Sequence, residues 1–202
     1  MPRFKALMVD VDGVVVRRPD GRRWDADMLA DLGVDPGALQ AAFFQPHFKT
    51  IVLGQAPIEP RLEGVLAAIA PHVATEAMLA YWFEKDAHLD HVLLDDLAAL
   101  RASGVALHLA TVQEHRRAAW LWETLGLKDR FDGLHHSAAV GHAKPDLAYY
   151  RAVEARTGFA PADLVLIDDS ARNVEAARAA GWGAAFWSGE ERLETVLAPF
   201  LG

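Results

Sequence analysis

Residues Phe4–Val15 read FKALMVDVDGVV. A short apolar run stops at Asp10, and Asp12-Gly13 follows at once. Such a run, bounded by a turn signal, is what a strand buried on both faces looks like, so Phe4–Val9 is read as the first strand. Two carboxylates then stand on alternate residues at the lip of a core. Burying a charge is costly unless it is paired or metal-bound. Asp and Gly are also ordinary turn residues. Two readings are open at this point, a polar turn and a chemical site.

Working outward, Val105–Ala110 reads as a second buried strand ending at Thr111. Leu164–Ile167 reads as another, ending at Asp168-Asp169. Shorter strands are expected at Leu134–His136 and Ala184–Trp187. Between them the pattern is helical at Leu89–Ala102, Glu114–Leu125, Pro145–Thr157, from Ser170 to Ala180 and at Glu190–Phe200. Pro145 is read at a first helical position and Ser170 as an N-cap. Gly104, Gly126, Gly158 and Gly181 close helices. Strands alternating with helices predict an α/β fold with a parallel sheet.

The first two strands are separated by about ninety-five residues of almost wholly helical pattern, where a crossover needs only about 10–12. Helices are expected over Asp25–Leu32, from Asp35-Pro36 to about Phe44, over Pro57–Ala70, and over Thr75–Asp86 with Thr75 as N-cap. The economical arrangement is a Rossmann-like parallel sheet with helices on both faces and an inserted α-helical cap subdomain. Residues 1–15 and 89–202 are expected to form the core, and residues 16–88 the cap.

The 202 residues are 52% hydrophobic and 24% charged, enough to bury a sizeable core. Net charge is −8, which disfavours nucleic acid and anionic membranes as partners. With no cysteine there is neither disulfide nor thiolate chemistry. The opening residues MPRFKALMVDVDG lack a signal-peptide pattern, and no apolar run approaches the ~18–20 residues of a membrane span. A soluble, cytoplasmic protein is expected.

In an open parallel sheet, ligands bind beyond the carboxyl ends of the strands. The polar strand ends here are Asp10 with Asp12, Thr111, and Asp168 with Asp169, and Lys144-Pro145-Asp146 lies at a loop-to-helix junction. Four clustered carboxylates raise one another's pKa unless compensated. Lys144 supplies one positive charge, and a divalent cation supplies two more. An all-oxygen set without His or Cys suits Mg²⁺ rather than zinc. Such a site suits attack of a carboxylate on a phosphoryl group, with a second acid moving protons.

Asp10-Val11-Asp12-Gly13-Val14, LHLAT ending at Thr111, Lys144-Pro145-Asp146 and Ile167-Asp168-Asp169-Ser170 occur in this order. Together they resemble the four signatures of the haloacid dehalogenase (HAD) superfamily, over essentially the whole chain. The resemblance is to the phosphatase-type members, among them sugar-phosphate phosphatases and the phosphatase domain of epoxide-hydrolase relatives. It implies Asp10 as nucleophile and Mg²⁺ ligand, and Asp12 as general acid/base giving its backbone carbonyl to the metal. It implies Thr111 as a hydrogen-bond donor to a phosphate oxygen and Lys144 as the holder of nucleophile and phosphate charge. Asp169 becomes the direct metal ligand, and Asp168 acts through water or orients that shell. An acid at position 12 implies phosphoryl transfer rather than dehalogenation. Val112 stands where relatives often carry Asn, which leaves a backbone N–H for substrate binding but no side-chain amide. The implied activity is hydrolysis of a small phosphomonoester, such as a sugar phosphate, through an aspartyl-phosphate. A phosphomutase or a non-catalytic binding module are the alternatives, and haloacid dehalogenation ranks last.

Other residues carry two readings each. His88 and His91, at i, i+3, are metal ligands or, preferably, solvated. His135, His136 and His142 fringe the site or lie on a surface loop. Trp120 and Trp122 read as packing residues. Arg17, Arg18, Arg22 and Arg23 meet an anionic substrate or form a solvated loop. Trp24, Phe43, Phe44, His47, Phe48 and Lys49 form the closing surface of the cap or, for the aromatic ones, its core. Closure of such a cap excludes water and favours small substrates.

Overall fold

Strand β1 (Ala6–Val9) has every side chain buried, which is why its sequence does not alternate. It lies at the centre of a parallel sheet with β2 (Ala106–Thr111), β3 (Gly133–His136), β4 (Leu164–Asp168) and β5 (Gly183–Phe186). The strand order is β3-β2-β1-β4-β5, so the chain reverses its direction of growth beside β1. The computed structural model describes residues 2–18 and 20–202. Met1, in the expected core, and Pro19, in the expected loop of Arg17, Arg18, Arg22 and Arg23, lie outside the described residues.

Successive residues of a strand face opposite sides of the sheet. Leu7 and Val9 join Val165 and Ile167 in one hydrophobic layer, while Ala6 and Met8 join Leu164 and Leu166 in the other. The helices between β1 and β2 are α1 (Met28–Leu32), α2 (Pro36–Leu39), α3 (Gln45–Val52), α4 (Ile58–Ile69), α5 (Thr75–Lys85) and α6 (His91–Ala102). After β2 come α7 (His115–Ala119), α8 (Ser137–Val140), α9 (Leu147–Thr157), α10 (Ala171–Ala179) and α11 (Leu193–Leu197). The first layer is covered by Leu93, Leu94 and Leu97 of α6 and Leu193 and Leu197 of α11. The second is covered by Tyr149, Tyr150 and Val153 of α9 and Val174 and Ala177 of α10.

Helices α1–α5 bury a separate cluster, which includes Met28, Phe43, Ile51, Leu62, Met78, Trp82 and Phe83. Two extended segments tie this helical insertion to the sheet. Arg17 N–H donates to His88 C=O (2.7 Å) and Asp90 N–H to Val15 C=O (2.9 Å), around an antiparallel bridge between Val16 and Leu89. On another side, Ser137 Oγ donates to Val52 C=O (2.6 Å). Gly54 packs so closely there that a Cβ would lie 2.3 Å from the Ala138 carbonyl oxygen.

Several element ends differ from expectation. The helix opened by Asp35 does not stop at Phe44. It widens into a π turn over Gln40–Phe44 and continues to Val52. Pro46 has no N–H to donate and crowds the preceding turn, so a wider turn there keeps the helix intact. Thr75 is the first helical residue, not the cap, which is Ala74 with no side-chain bond. Pro145 precedes α9, whose N-cap is Asp146, accepting from Ala148 N–H (2.9 Å). Ser170 caps α10 in position only, without a side-chain bond. No helix among the described residues is long and apolar enough to cross a membrane.

Candidate active site

Asp10 directly follows β1, and its N–H donates to Ile167 C=O (3.1 Å), extending the β1–β4 pairing by one residue. That pairing sets Asp10 beside Asp168, the last residue of β4. Strand parity gives both the side of Met8 and Leu166, the side covered by α9 and α10. Lys144, just before α9, reaches them from that side. Its Nζ lies 3.0 Å from Asp10 Oδ1 and 2.5 Å from Asp168 Oδ2, with all three side chains almost fully buried.

The electrostatics follow from that burial. Desolvation pushes the Asp10 carboxyl up to about 7, against the pull of Lys144 and with added repulsion from Asp168 and Asp12. Burial pulls the Lys144 ammonium down, but Asp10 and Asp168 outweigh it and the net shift is upward. Asp169 is exposed and is also raised, by desolvation and then by Asp168. One lysine therefore leaves the carboxylates under-compensated. Asp10, Asp168 and Asp169 each offer an oxygen, and these lie within 4.8 Å of one another. A hard, all-oxygen donor set short of positive charge fits a divalent cation of the magnesium type.

Asp168 is already saturated. Besides Lys144 it accepts from Asn173 Nδ2 (2.9 and 3.1 Å) and from Ser170 N–H (2.9 Å). Asp169 stands over the Asp12-Gly13 turn. Gly13 has φ +79°, and a Cβ there would lie 2.0 Å from Asp169 Oδ2, so only glycine leaves room for that carboxylate. Thr111, at the end of β2, is 1% exposed and its hydroxyl has no protein partner. A buried donor without a partner is costly unless a ligand oxygen meets it.

Asp12 is brought to the same edge but is exposed. It accepts from Gln113 Nε2 (2.5 Å) and Arg117 Nη2 (3.1 Å). Neither donor was anticipated from the sequence. The available signal was Arg117 itself, a charge four residues before buried Leu121 on the core stripe of its helix. Val112 is half-buried, and the side-chain amide absent at that position occurs one residue later in Gln113, where it serves Asp12.

The remaining candidates pair with other groups, pack, or lie exposed. His88 precedes α6 and His91 opens it, so the pair does not share a helix face; both are exposed, and neither joins a metal-ligand group among the described residues. His135 and His136 lie on β3, facing His108 (3.1 Å) and His115 (3.2 Å), and burial holds both at about 4. His142 is exposed. Trp120 packs on Phe83, with ring centroids 5.8 Å apart, and Trp122 packs on the core. Arg18, Arg22 and Arg23 are paired with Asp20, Asp27 and Asp25, while Arg17 donates to Ser188 C=O (3.2 Å). With Gly13, Trp24 and Asp86 they line a shallow cavity of about 370 Å³. Phe43 is insertion core, and Trp24, Phe44 and Phe48 pack their rings around Trp82. His47 is half-buried beside Phe43, and Lys49 is exposed.

Residues 4–181 match the family model described as "Hydrolase: haloacid dehalogenase-like hydrolase". A phosphoglycolate phosphatase of Thiobacillus denitrificans is 27% identical over 88% of this chain and 80% of its own length. A plasmid-encoded phosphoglycolate phosphatase of Cupriavidus necator is 30% identical over 87% and 77%. Among solved structures, the HAD family enzyme bt-2542 of Bacteroides thetaiotaomicron shares the fold at a TM-score of 0.79. It is 19% identical, covering 96% of this chain and 98% of that one. The same enzyme solved with magnesium and inorganic phosphate gives a TM-score of 0.77. With its acid-tipped strands, buried lysine and family match in register, this chain belongs to the haloacid dehalogenase-like hydrolases.

Proposed function

We propose that the protein is a Mg²⁺-dependent phosphatase of small phosphomonoesters, working through an aspartyl-phosphate on Asp10. The observation that carries this reading is Lys144 Nζ held 3.0 Å from a buried Asp10 carboxylate, with the partnerless Thr111 hydroxyl at the neighbouring strand end. A nucleophilic carboxylate facing a phosphate dianion needs positive charge and hydrogen-bond donors beside it. The relatives named as phosphoglycolate phosphatases, and the neighbour solved with magnesium and inorganic phosphate, support the same reading.

Asp10 and Asp169 would hold the metal directly, with the backbone carbonyl of Asp12. Asp168, already saturated by Lys144, Asn173 and Ser170, would orient that set. A bound magnesium ion supplies positive charge that offsets phosphate and carboxylate oxygens.

In the first half-reaction an Asp10 oxygen bonds to phosphorus as the ester P–O bond breaks. Asp12, protonated, gives its proton to the departing oxygen, which leaves as an alcohol. In the second half-reaction the Asp12 carboxylate takes a proton from water. The water oxygen then bonds to phosphorus, the Asp10–phosphorus bond breaks, and inorganic phosphate leaves. Thr111 Oγ and the Val112 N–H donate to phosphate oxygens, and Lys144 balances their charge.

We assign the division between core (1–15 and 89–202) and cap (16–88) to the paired segments Val15–Arg17 and 88–90, where the hydrogen bonds of the two connections meet. The cap would exclude water and bulky substrates. The test is phosphate release from a panel of small phosphomonoesters, with Mg²⁺ or with EDTA, in wild type and Asp10→Asn. Release that needs Mg²⁺ and disappears in the variant is expected. Release that survives the substitution overturns the role of Asp10.

A further inference from the structure

Arg117 is the most deeply buried charged side chain outside the Asp10–Lys144–Asp168 triad, at 1% exposure. Its backbone is fixed at the start of α7, where Glu114 caps the helix by accepting from the N–H groups of Arg116 and Arg117. Its guanidinium leaves the core and enters the insertion. There it lies 5.8 Å from the ring of Trp82 and 6.0 Å from that of Phe83. One nitrogen, Nη2, carries its polar contacts, reaching Asp86 C=O (2.9 Å), Asp86 Oδ2 (2.9 Å) and Asp12 Oδ1 (3.1 Å). The other terminal nitrogen, Nη1, has no partner.

Geometry of this kind is wasteful for a simple strut. A buried guanidinium serving only to dock α5 would pair both terminal nitrogens with Asp86, because a forked contact with a carboxylate is the stronger arrangement. Here Nη1 stays unpaired while Nη2 is shared with the exposed carboxylate of Asp12. Gln113 Nε2 meets the second Asp12 oxygen at 2.5 Å. The two donors thus grip both oxygens of Asp12 and define the plane of its carboxyl group.

We propose that Arg117 is a positioning residue for Asp12, braced from the insertion by Asp86 at the end of α5. This rests on the acid–base reading of Asp12. Its distinctive consequence is chemical. Asp12 protonates the departing oxygen, so misplacing it harms esters of poorly acidic alcohols and spares esters whose leaving group needs no proton. A residue that merely held the insertion in place would affect both alike.

The test measures kcat/KM with Mg²⁺ on propyl phosphate and on 4-nitrophenyl phosphate. The variants are Arg117→Met, Asp12→Asn and the double substitution. Arg117→Met is expected to lose on the order of 10- to 100-fold on the alkyl ester and within about threefold on the nitrophenyl ester. Added to Asp12→Asn, it is expected to cost no more than about twofold, because the two residues act as one unit. Equal losses on both esters, or an undiminished loss in the Asp12→Asn background, overturn the proposal. If Arg117→Met fails to fold by circular dichroism, Asp86→Asn decides. A smaller loss with the same bias toward the alkyl ester supports the proposal, and a loss without that bias overturns it. If Asp12→Asn alone leaves both esters unaffected, it is the acid–base reading that falls.

Discussion

The ends of β1 and β4 are neighbours in the sheet, and each delivers one buried and one exposed acid. They differ in how the buried one is satisfied. Asp168 accepts from Lys144, Asn173 and the Ser170 N–H, and has little capacity left. Asp10 accepts from Lys144 and from the Val11 N–H (2.7 Å), and burial drives its carboxyl up to about 7. The same residue type at equivalent strand ends is firmly anchored in one place and, in the proposed mechanism, the attacking group in the other. The difference lies in the number of donors and not in burial. A carboxylate whose lone pairs are engaged by fixed donors is a poor nucleophile, whereas one kept short of donors retains an oxygen free to attack.

The contrast can be broken most directly at Asp10. Asp10→Asn is expected to lower phosphate release by at least about 10³-fold, since the proposed nucleophile is removed. The fold should persist, because a neutral amide avoids the desolvation cost. Steady-state turnover beside a thermal melt checks both halves.

Asp168→Ala is expected to show the opposite balance. Removing one member of a buried, hydrogen-bonded ion pair costs about 3–5 kcal/mol, and urea denaturation should show it. Asp169→Ala, one residue on and exposed, should leave stability within about 0.5 kcal/mol of wild type. Its effect should fall on the metal, raising the Mg²⁺ concentration for half-maximal turnover by about 10- to 100-fold. If both substitutions destabilise equally, the assignment of anchor and ligand is wrong.

The smallest effect concerns the helix starts beside these acids. Asp146→Ala removes a true cap of α9 and should cost about 1 kcal/mol. Ser170→Ala should change the melting temperature hardly at all, because the Ser170 side chain makes no cap bond and the contact to Asp168 runs through its backbone N–H. Thermal melts of the two variants side by side test this.

The sheet and its acidic edge were legible because both are local in sequence. A doubly buried strand is written as consecutive apolar residues, and the residue that ends it must be polar where the strand leaves the core. That placed Asp10, Thr111 and Asp168 at strand ends, and parallel alternation then required a common edge. The insertion was legible as helices but not in their details. The π turn before Pro46 arises because the packed helix is worth keeping despite one missing donor. The metal-ligand alternative for His88 and His91 falls because the helix begins only at His91, and both residues are exposed as the preferred reading had it.

By itself, then, the amino-acid order determined which strands are buried, where each one ends, and which acids stand at those ends. These follow from hydrophobic periodicity and turn chemistry acting over a few residues. Only the tertiary structure decided how the acids divide their work. Asn173 lies five residues beyond Asp168, Gln113 and Arg117 more than a hundred beyond Asp12, and Asp86 joins Arg117 from the insertion. Donors supplied from distant elements leave no periodic trace, because a hydrogen bond depends on position in space and not on spacing along the chain.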